Sequence, residues 1–262
     1  MDEQFLERMD SQLAGWSDPV ERLRRALDND EFQLYCQPIL ALQEGDYPIA
    51  EILVRLREEE RALVPPGEFL PVFEHFRMMP QLDRWVVRHT LKRLAAGSRI
   101  RHFTINVSGQ TLEDAEFPRF VAGQLKTSNV ASDAIGFEVD EGDALQRPRA
   151  AKQFAEACRA IGAPVLLDGF GRLSVSFTPI KDLRVQFVKV DGAISRKLLA
   201  SEGARGKLGA ILRVSEALGF AVVAECVEEQ EVLARLKAMG VRYAQGFGVS
   251  PPHAIDAMAQ PA

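Results

Sequence analysis

Seven short apolar runs in this chain end in side chains able to hold a metal ion or a phosphate: Glu51 with Arg55, Asn106, Glu138, Asp168, Lys189 with Asp191, Glu225, and Gln245. Carboxylates and amides with two cations among them form a hard, oxygen-rich donor set, suited to Mg²⁺, Mn²⁺ or Ca²⁺ together with a phosphate. Each residue alone has a plainer explanation. Asp168-Gly169 is an ordinary turn dipeptide, Asn106 before Ser108 suits a helix cap, and Lys189 could pair with Asp191. Arg55 could be solvated, and Gln245 could satisfy backbone groups near Gly246. Seven such endings in one chain favour a shared site. Other chemistries lack their signatures: His75, His89, His102 and His253 have no HExxH or other zinc spacing, and no GxSxG, P-loop or GxGxxG occurs.

A shared site needs elements that converge. Apolar, β-branched runs are expected as strands at Phe32 to Ile39, Ile49 to Val54, His102 to Val107, Ile135 to Val139, Pro164 to Leu167, Val185 to Val190, Phe220 to Ala224, and Val241 to Phe247. Amphipathic stretches lie between them, such as Leu82 to Leu94, Pro148 to Ile161, Lys207 to Leu218 and Glu229 to Met239, with Gly97, Gly162, Gly219 and Gly240 at the helix exits. Alternating strands and helices predict a closed α/β barrel, whose strand ends meet around one mouth. The first connection, Ala41 to Pro48, is too short for a helix and predicts an antiparallel hairpin. Residues 1 to 18 read as a helical lead-in or linker, Ser17-Asp18-Pro19 as a cap for a helix Val20 to Leu27, and residues 19 to 258 as the barrel domain.

Composition narrows the partners. The chain has 262 residues, 47% of them apolar and 26% charged, with a net charge of -5, so a sizeable core is expected and no basic face for DNA. Cys36, Cys158 and Cys226 lie in apolar runs without CxxC spacing and read as buried free thiols of a reducing cytosol. No apolar run approaches ~18 residues, so a cytoplasmic location without membrane insertion is expected.

The residues, in this order, resemble the EAL family of cyclic di-GMP phosphodiesterases over roughly residues 20 to 255. Tyr35-Cys36-Gln37-Pro38-Ile39 is similar to YQPI, and Glu51-Ile52-Leu53-Val54-Arg55 to ExLxR with Ile52 for the usual Ala. Ile105-Asn106-Val107-Ser108 resembles INLS, Phe137 to Glu141 resembles FEITE, and Phe187 to Gly192 resembles LKIDG. Ala224 to Glu228 is similar to AEGVE, and Gln245-Gly246-Phe247 to QGY. The resemblance implies an irregular (β/α)8, TIM-like barrel with an antiparallel first strand. It implies a first metal, Mg²⁺ or Mn²⁺ with Ca²⁺ as an inhibitor, held by Glu51, Asn106, Glu138 and Asp168, with Glu225 holding a second. Lys189 would orient water or phosphate, Gln245 would support the metal-water network, and Gln37, Leu53, Arg55 and Glu141 would serve the ligand, Glu141 by anchoring the loop after the fifth strand.

One departure bears on activity. The family's two consecutive aspartates and FGTGYSS stand here as Asp168-Gly169-Phe170-Gly171-Arg172-Leu173-Ser174-Val175-Ser176, and its tail Arg-Pro is Pro251-Pro252. Glycine offers no side-chain oxygen, so the second metal is doubtful and a cyclic di-GMP receptor with weak or absent hydrolysis is expected. The alternatives are a working phosphodiesterase in which Glu228 or water completes the second metal, and an interaction scaffold without ligand. A homodimer, adjacent regulatory domains or a protein partner would suit any of the three.

Overall fold

The computed structural model describes residues 18–57, 63–172 and 176–258, so all but the last residue of the lead-in expected at residues 1 to 18 lies outside it. Eight strands close into a ring: β1 (Phe32–Ala41), β2 (Ile49–Leu56), β3 (His102–Val107), β4 (Ile135–Asp140), β5 (Val165–Phe170), β6 (Phe187–Val190), β7 (Ala221–Ala224) and β8 (Tyr243–Ala244). Neighbours from β2 to β8 pair in parallel, whereas β1 pairs antiparallel with both β2 and β8. The seven-residue turn between β1 and β2 leaves no room for a crossover helix, so the chain must reverse. A two-residue strand, β9 (His253–Ala254), pairs with Tyr35 and Cys36 of β1.

Helices cover the outside. Those expected from periodicity are α1 (Pro19–Asp28), α3 (Met79–Ala95), α7 (Pro148–Ala160), α10 (Glu202–Leu218) and α11 (Gln230–Ala238); α2 (Pro66–His75), α4 (Gly109–Leu112), α5 (Phe117–Ser128), α6 (Glu141–Gln146), α8 (Thr178–Leu183) and α9 (Gly192–Arg196) complete the set. Asp18 caps α1 by accepting from the Glu21 amide at 3.0 Å, as its sequence position suggested. Phe32 packs against Phe69, Phe73 and Trp85 with ring centroids 5.5 to 5.9 Å apart, joining β1 to α2 and α3. Phe117, Phe137 and Phe154 do the same for α5, β4 and α7.

The barrel interior follows from strand periodicity. Ile39, Ile49 and Val223, with Phe187 and Tyr243 against them, form an apolar cluster separate from the main core. Each stands two residues from a polar residue of the same strand or its exit: Gln37, Glu51, Glu225, Lys189 and Gln245. Side chains two apart share a strand face. The sequence therefore stacks an apolar plug beneath a polar layer, and the plug closes the barrel under the site.

Two details depart from the sequence reading. The last strand spans only Tyr243–Ala244, because Gln245 to Gly248 turns to clasp the exit of β7. In that clasp Val227 donates its amide to Gln245, and Gly248 donates its own to Val227, both at 3.0 Å. A Cβ at Gly246 or Gly248 would stand 2.2 Å from the facing backbone, so glycine is required by close approach. Cys36 and Cys158 are buried free thiols, but Cys226 is only partly buried and lines a cavity, being carried out of β7 with φ at 54°. Burial pushes the thiol of Cys36 up to about 11 and that of Cys158 to about 12, so neither is a ready nucleophile.

Candidate functional site

Lys189, on β6, is the hub. Its side chain is 1% exposed, and its ammonium donates to Glu51 Oε2 and Glu138 Oε2 at 2.8 Å each. Glu225 Oε1 lies 3.1 Å from the ammonium and Asp168 Oδ1 3.7 Å. Four carboxylates from β2, β4, β5 and the exit of β7 thus meet around one cation. The plainer pairing of Lys189 with Asp191 does not occur; Asp191 instead caps α9, accepting from the Ala193 amide at 2.9 Å.

Amides and a hydroxyl complete the layer. Asn106 donates to Glu51 Oε1 at 2.7 Å, and Gln245 donates to Glu51 Oε2 at 2.8 Å. Asn106 thus joins the cluster around Glu51, while the helix cap that might have explained it is supplied by Ser108, which accepts from the Thr111 amide at 3.2 Å. Thr104, two residues before Asn106 on β3, donates a short hydrogen bond to Glu138 Oε1. Sequence reasoning missed Thr104, although its even spacing from Asn106 puts it on the interior face. Gln37 donates to the Ser250 carbonyl at 3.0 Å and accepts from Gln245 at 3.4 Å.

Burial sets the charges. It opposes ionisation of Glu51, but the Lys189 charge and hydrogen bonds from Lys189, Asn106 and Gln245 outweigh it and lower that carboxyl's pKa. Burial, reinforced by the neighbouring Glu51 charge, pushes Glu138 up to about 8; burial likewise takes Glu225 to about 7 and raises Asp168. Burial also works against the ammonium of Lys189, yet Glu138, Glu225, Glu51 and Asp168 hold its proton well above the usual range. Near neutrality the cluster thus keeps Lys189 charged and retains protons on part of its acid set.

Two cavities flank the hub. One, of about 200 Å³, is lined by Gln37, Glu51, Glu225, Cys226, Glu228, Gln245 and Phe247, the last 70% exposed. Glu228 lies at this rim and is itself exposed. The other, of about 220 Å³, lies beside Leu53, Arg55, Leu70, Met79 and Asn106 and is largely apolar. Arg55 donates to the Val54 carbonyl at 2.9 Å and sits 5.8 Å from the centre of the Tyr35 ring. Glu141 takes a different place from the other ligand candidates: it is fully buried, and its Oε2 accepts from the Gly171 amide at 3.2 Å. Its contact is with the backbone of the loop after β5, and it does not line either cavity.

Asp83, a residue with no sequence signal beyond an acid in an amphipathic helix, supports this side of the site. Its Oδ2 accepts from the amide and hydroxyl of Ser108 at 3.1 and 3.0 Å, and from the Thr111 hydroxyl at 2.6 Å, fixing the turn that follows Asn106. Burial pushes its carboxyl up to about 6, from 3.8. A pKa raised by folding stabilises the fold fully below the unfolded value and loses that stabilisation as pH rises through the folded value. Asp83→Asn is therefore expected to gain on the unsubstituted protein by on the order of 3 kcal/mol between pH 4 and pH 7. Urea unfolding of both proteins at the two pH values measures the gap, and a gap that does not change with pH would remove Asp83 as its source.

Glu51, Asn106, Glu138 and Asp168 supply the oxygen chemistry of one hard cation, and buried Asp168 Oδ1 has no hydrogen-bond partner. As it stands, no three His, Cys, Asp or Glu side chains among the described residues form a ready metal cage, since the Lys189 ammonium takes the centre of the acids. A second cation fits less well. Gly169 contributes no donor, and a Cβ there would lie 3.0 Å from Arg172 Nη2.

An eight-stranded α/β barrel with an acidic, lysine-centred cluster at one mouth defines the class of the molecule. Residues 20–252 match the model of the EAL domain, and the chain belongs to the EAL domain family. It is 29% identical over 238 residues to the cyclic di-GMP phosphodiesterase PdeB of Shewanella oneidensis, covering 89% of this chain and 28% of the relative. It is likewise 29% identical over 239 residues to the cyclic di-GMP phosphodiesterase PdeF of Escherichia coli, covering 90% of this chain and 32% of the relative. The chain thus spans about a third of the length of these curated relatives. Among solved structures, the FimX EAL domain of Pseudomonas aeruginosa bound to c-di-GMP superposes with a TM-score of 0.82 at 27% identity, covering 90% of this chain and 96% of that one. The FimX EAL domain of Xanthomonas citri in complex with c-diGMP gives a TM-score of 0.84 at 25% identity, covering 99% of both chains. Among the described residues no helix is long and apolar enough to cross a membrane.

Proposed function

We propose that this EAL domain is a cyclic di-GMP receptor whose hydrolytic power is weakened. The observation that carries the reading is the asymmetry of the mouth: the Glu51, Asn106, Glu138 and Asp168 side is complete around Lys189, whereas the position beside Asp168 is Gly169 with the Arg172 guanidinium against it. Glu51, Asn106, Glu138 and Asp168 would hold one Mg²⁺ or Mn²⁺, which when bound supplies Lewis-acid polarisation of a phosphate oxygen and a more acidic water. Lys189 holds a permanent positive charge beneath the phosphate, and Gln245 and Asn106 fix Glu51 in place. Arg55, on the wall of the larger cavity, offers a planar fork for a phosphate oxygen. Gln37 offers an amide to a guanine edge at the smaller one.

Calorimetry with cyclic di-GMP, with and without Mg²⁺, tests the receptor reading; no heat of binding at roughly tens of micromolar ligand rejects it in favour of a scaffold without ligand. Phe247 adds a sharper prediction, because an exposed aromatic at a cavity lip is a platform for a base. Phe247→Ala is expected to weaken binding about tenfold, given ~1–3 kcal/mol per stacked base. An unchanged affinity removes Phe247 from the binding surface. Retention of Lys189 among four carboxylates favours a second reading, a slow phosphodiesterase in which Glu228 or water completes a second ion. Chromatography after incubation with Mg²⁺ or Mn²⁺ separates the readings: linear dinucleotide at useful rates supports the enzyme, and unchanged substrate the receptor.

A further inference from the structure

Gly169 and Arg172 form a matched pair at the edge of the site. Gly169 has φ at 66°, and a Cβ there would stand 3.0 Å from Arg172 Nη2 and 3.2 Å from Arg172 Cζ. The guanidinium thus fills the space a side chain at 169 would enter. It is held by an ion pair with Asp140, a strand partner of Asp168. Asp140 is itself fixed, because its other oxygen accepts from the amides of Gly142 and Asp143 at 2.7 and 3.3 Å. Asp140, at the end of β4, therefore fixes the arginine beside Gly169, and the chain places that arginine four residues after Asp168.

We propose that Arg172 is a built-in replacement for a second divalent cation: its guanidinium, paired with Asp140, occupies the space beside Gly169 and Asp168, so that the site takes up a single metal ion. The inference deepens the receptor reading and rests on it for its meaning. The physical reason is exclusivity. A guanidinium is never deprotonated at working pH, is tethered to the chain, and has no coordination sphere in which to activate water. It supplies charge without the Lewis acidity that a hydrolytic second ion would add. Loss of a donor at 169 and gain of a cation at 172 are then one change and not two.

The test counts ions and requires no ligand, so its failure is distinct from failure of cyclic di-GMP binding, which calorimetry on the unsubstituted protein reads. Equilibrium dialysis against Mn²⁺ is run on the unsubstituted protein, Gly169→Asp, Gly169→Asp with Arg172→Thr, and Arg172→Glu, each checked for folding by thermal melting. One ion is expected for the unsubstituted protein, and no gain for Gly169→Asp, whose new carboxylate pairs with Arg172. One further ion is expected for the double variant and for Arg172→Glu. The last is informative even if position 169 tolerates no side chain at its positive φ, because it leaves the backbone of Gly169 untouched; the Arg172 side chain is 48% exposed. A second ion in the unsubstituted protein or in Gly169→Asp overturns the proposal, as does an unchanged count in Arg172→Glu.

Discussion

Lys189→Met is expected to destabilise the domain by about 3–5 kcal/mol, the usual consequence of leaving a buried charge without its partner. The ammonium lies 2.8 Å from Glu51 and Glu138, 3.1 Å from Glu225 and 3.7 Å from Asp168, and methionine keeps the volume while removing the charge. The loss has a ceiling, because Glu138 and Glu225 can take up protons at accessible pH once the ammonium is gone. A divalent ion is expected to return part of the loss: at about a hundred times its dissociation constant it adds about 2.7 kcal/mol. Urea unfolding with and without Mg²⁺ gives both numbers. If the variant unfolds at the same urea concentration as the unsubstituted protein, the acids do not depend on Lys189, and the charge-centred account of the site fails. If Mg²⁺ stabilises both proteins equally, the ion and the ammonium do not compete for the same carboxylates.

Much of this site is written in the sequence because barrel geometry makes it so. A residue at the end of an apolar run reaches the mouth, and Glu51, Asn106, Glu138, Asp168, Lys189, Glu225 and Gln245 all do. Even the plug beneath them follows a two-residue offset, from Ile49 to Glu51 and from Phe187 to Lys189. What stayed hidden depends on distant contacts. The length of β8 could not be read from Val241 to Phe247, since that run is apolar whether it continues as a strand or folds over Val227. Cys226 has apolar neighbours in sequence, yet a positive φ turns it to the cavity. Asp83 sits on an amphipathic helix like many acids, and only the fold brings Ser108 and Thr111 to it. Arg172 was visible as a departure from the family loop, but its partner Asp140 lies 32 positions away and no local pattern announces it.

That partner changes what an aspartate introduced at position 169 should do. Gly169→Asp alone is expected to leave cyclic di-GMP hydrolysis near its starting level, because the new carboxylate would meet the Arg172 guanidinium, which a Cβ at 169 already approaches to 3.0 Å. Combining it with Arg172→Thr clears that space and is expected to raise the rate about 100-fold or more, equivalent to ~2.7 kcal/mol of transition-state stabilisation. The two substitutions should therefore be strongly non-additive, as expected of groups in contact. Linear dinucleotide formed per minute, measured by chromatography at saturating Mn²⁺ for the four proteins of the cycle, gives the coupling directly. Equal gains from Gly169→Asp with and without Arg172→Thr would show that the arginine is a bystander. No gain in either would show that hydrolysis is not limited at position 169, with the Pro251-Pro252 tail beside Ser250 and Gln37 as the next place to look, since Gln37 donates to the Ser250 carbonyl. The cycle separates a site that lost one ligand from a site in which a fixed cation has taken that ligand's place.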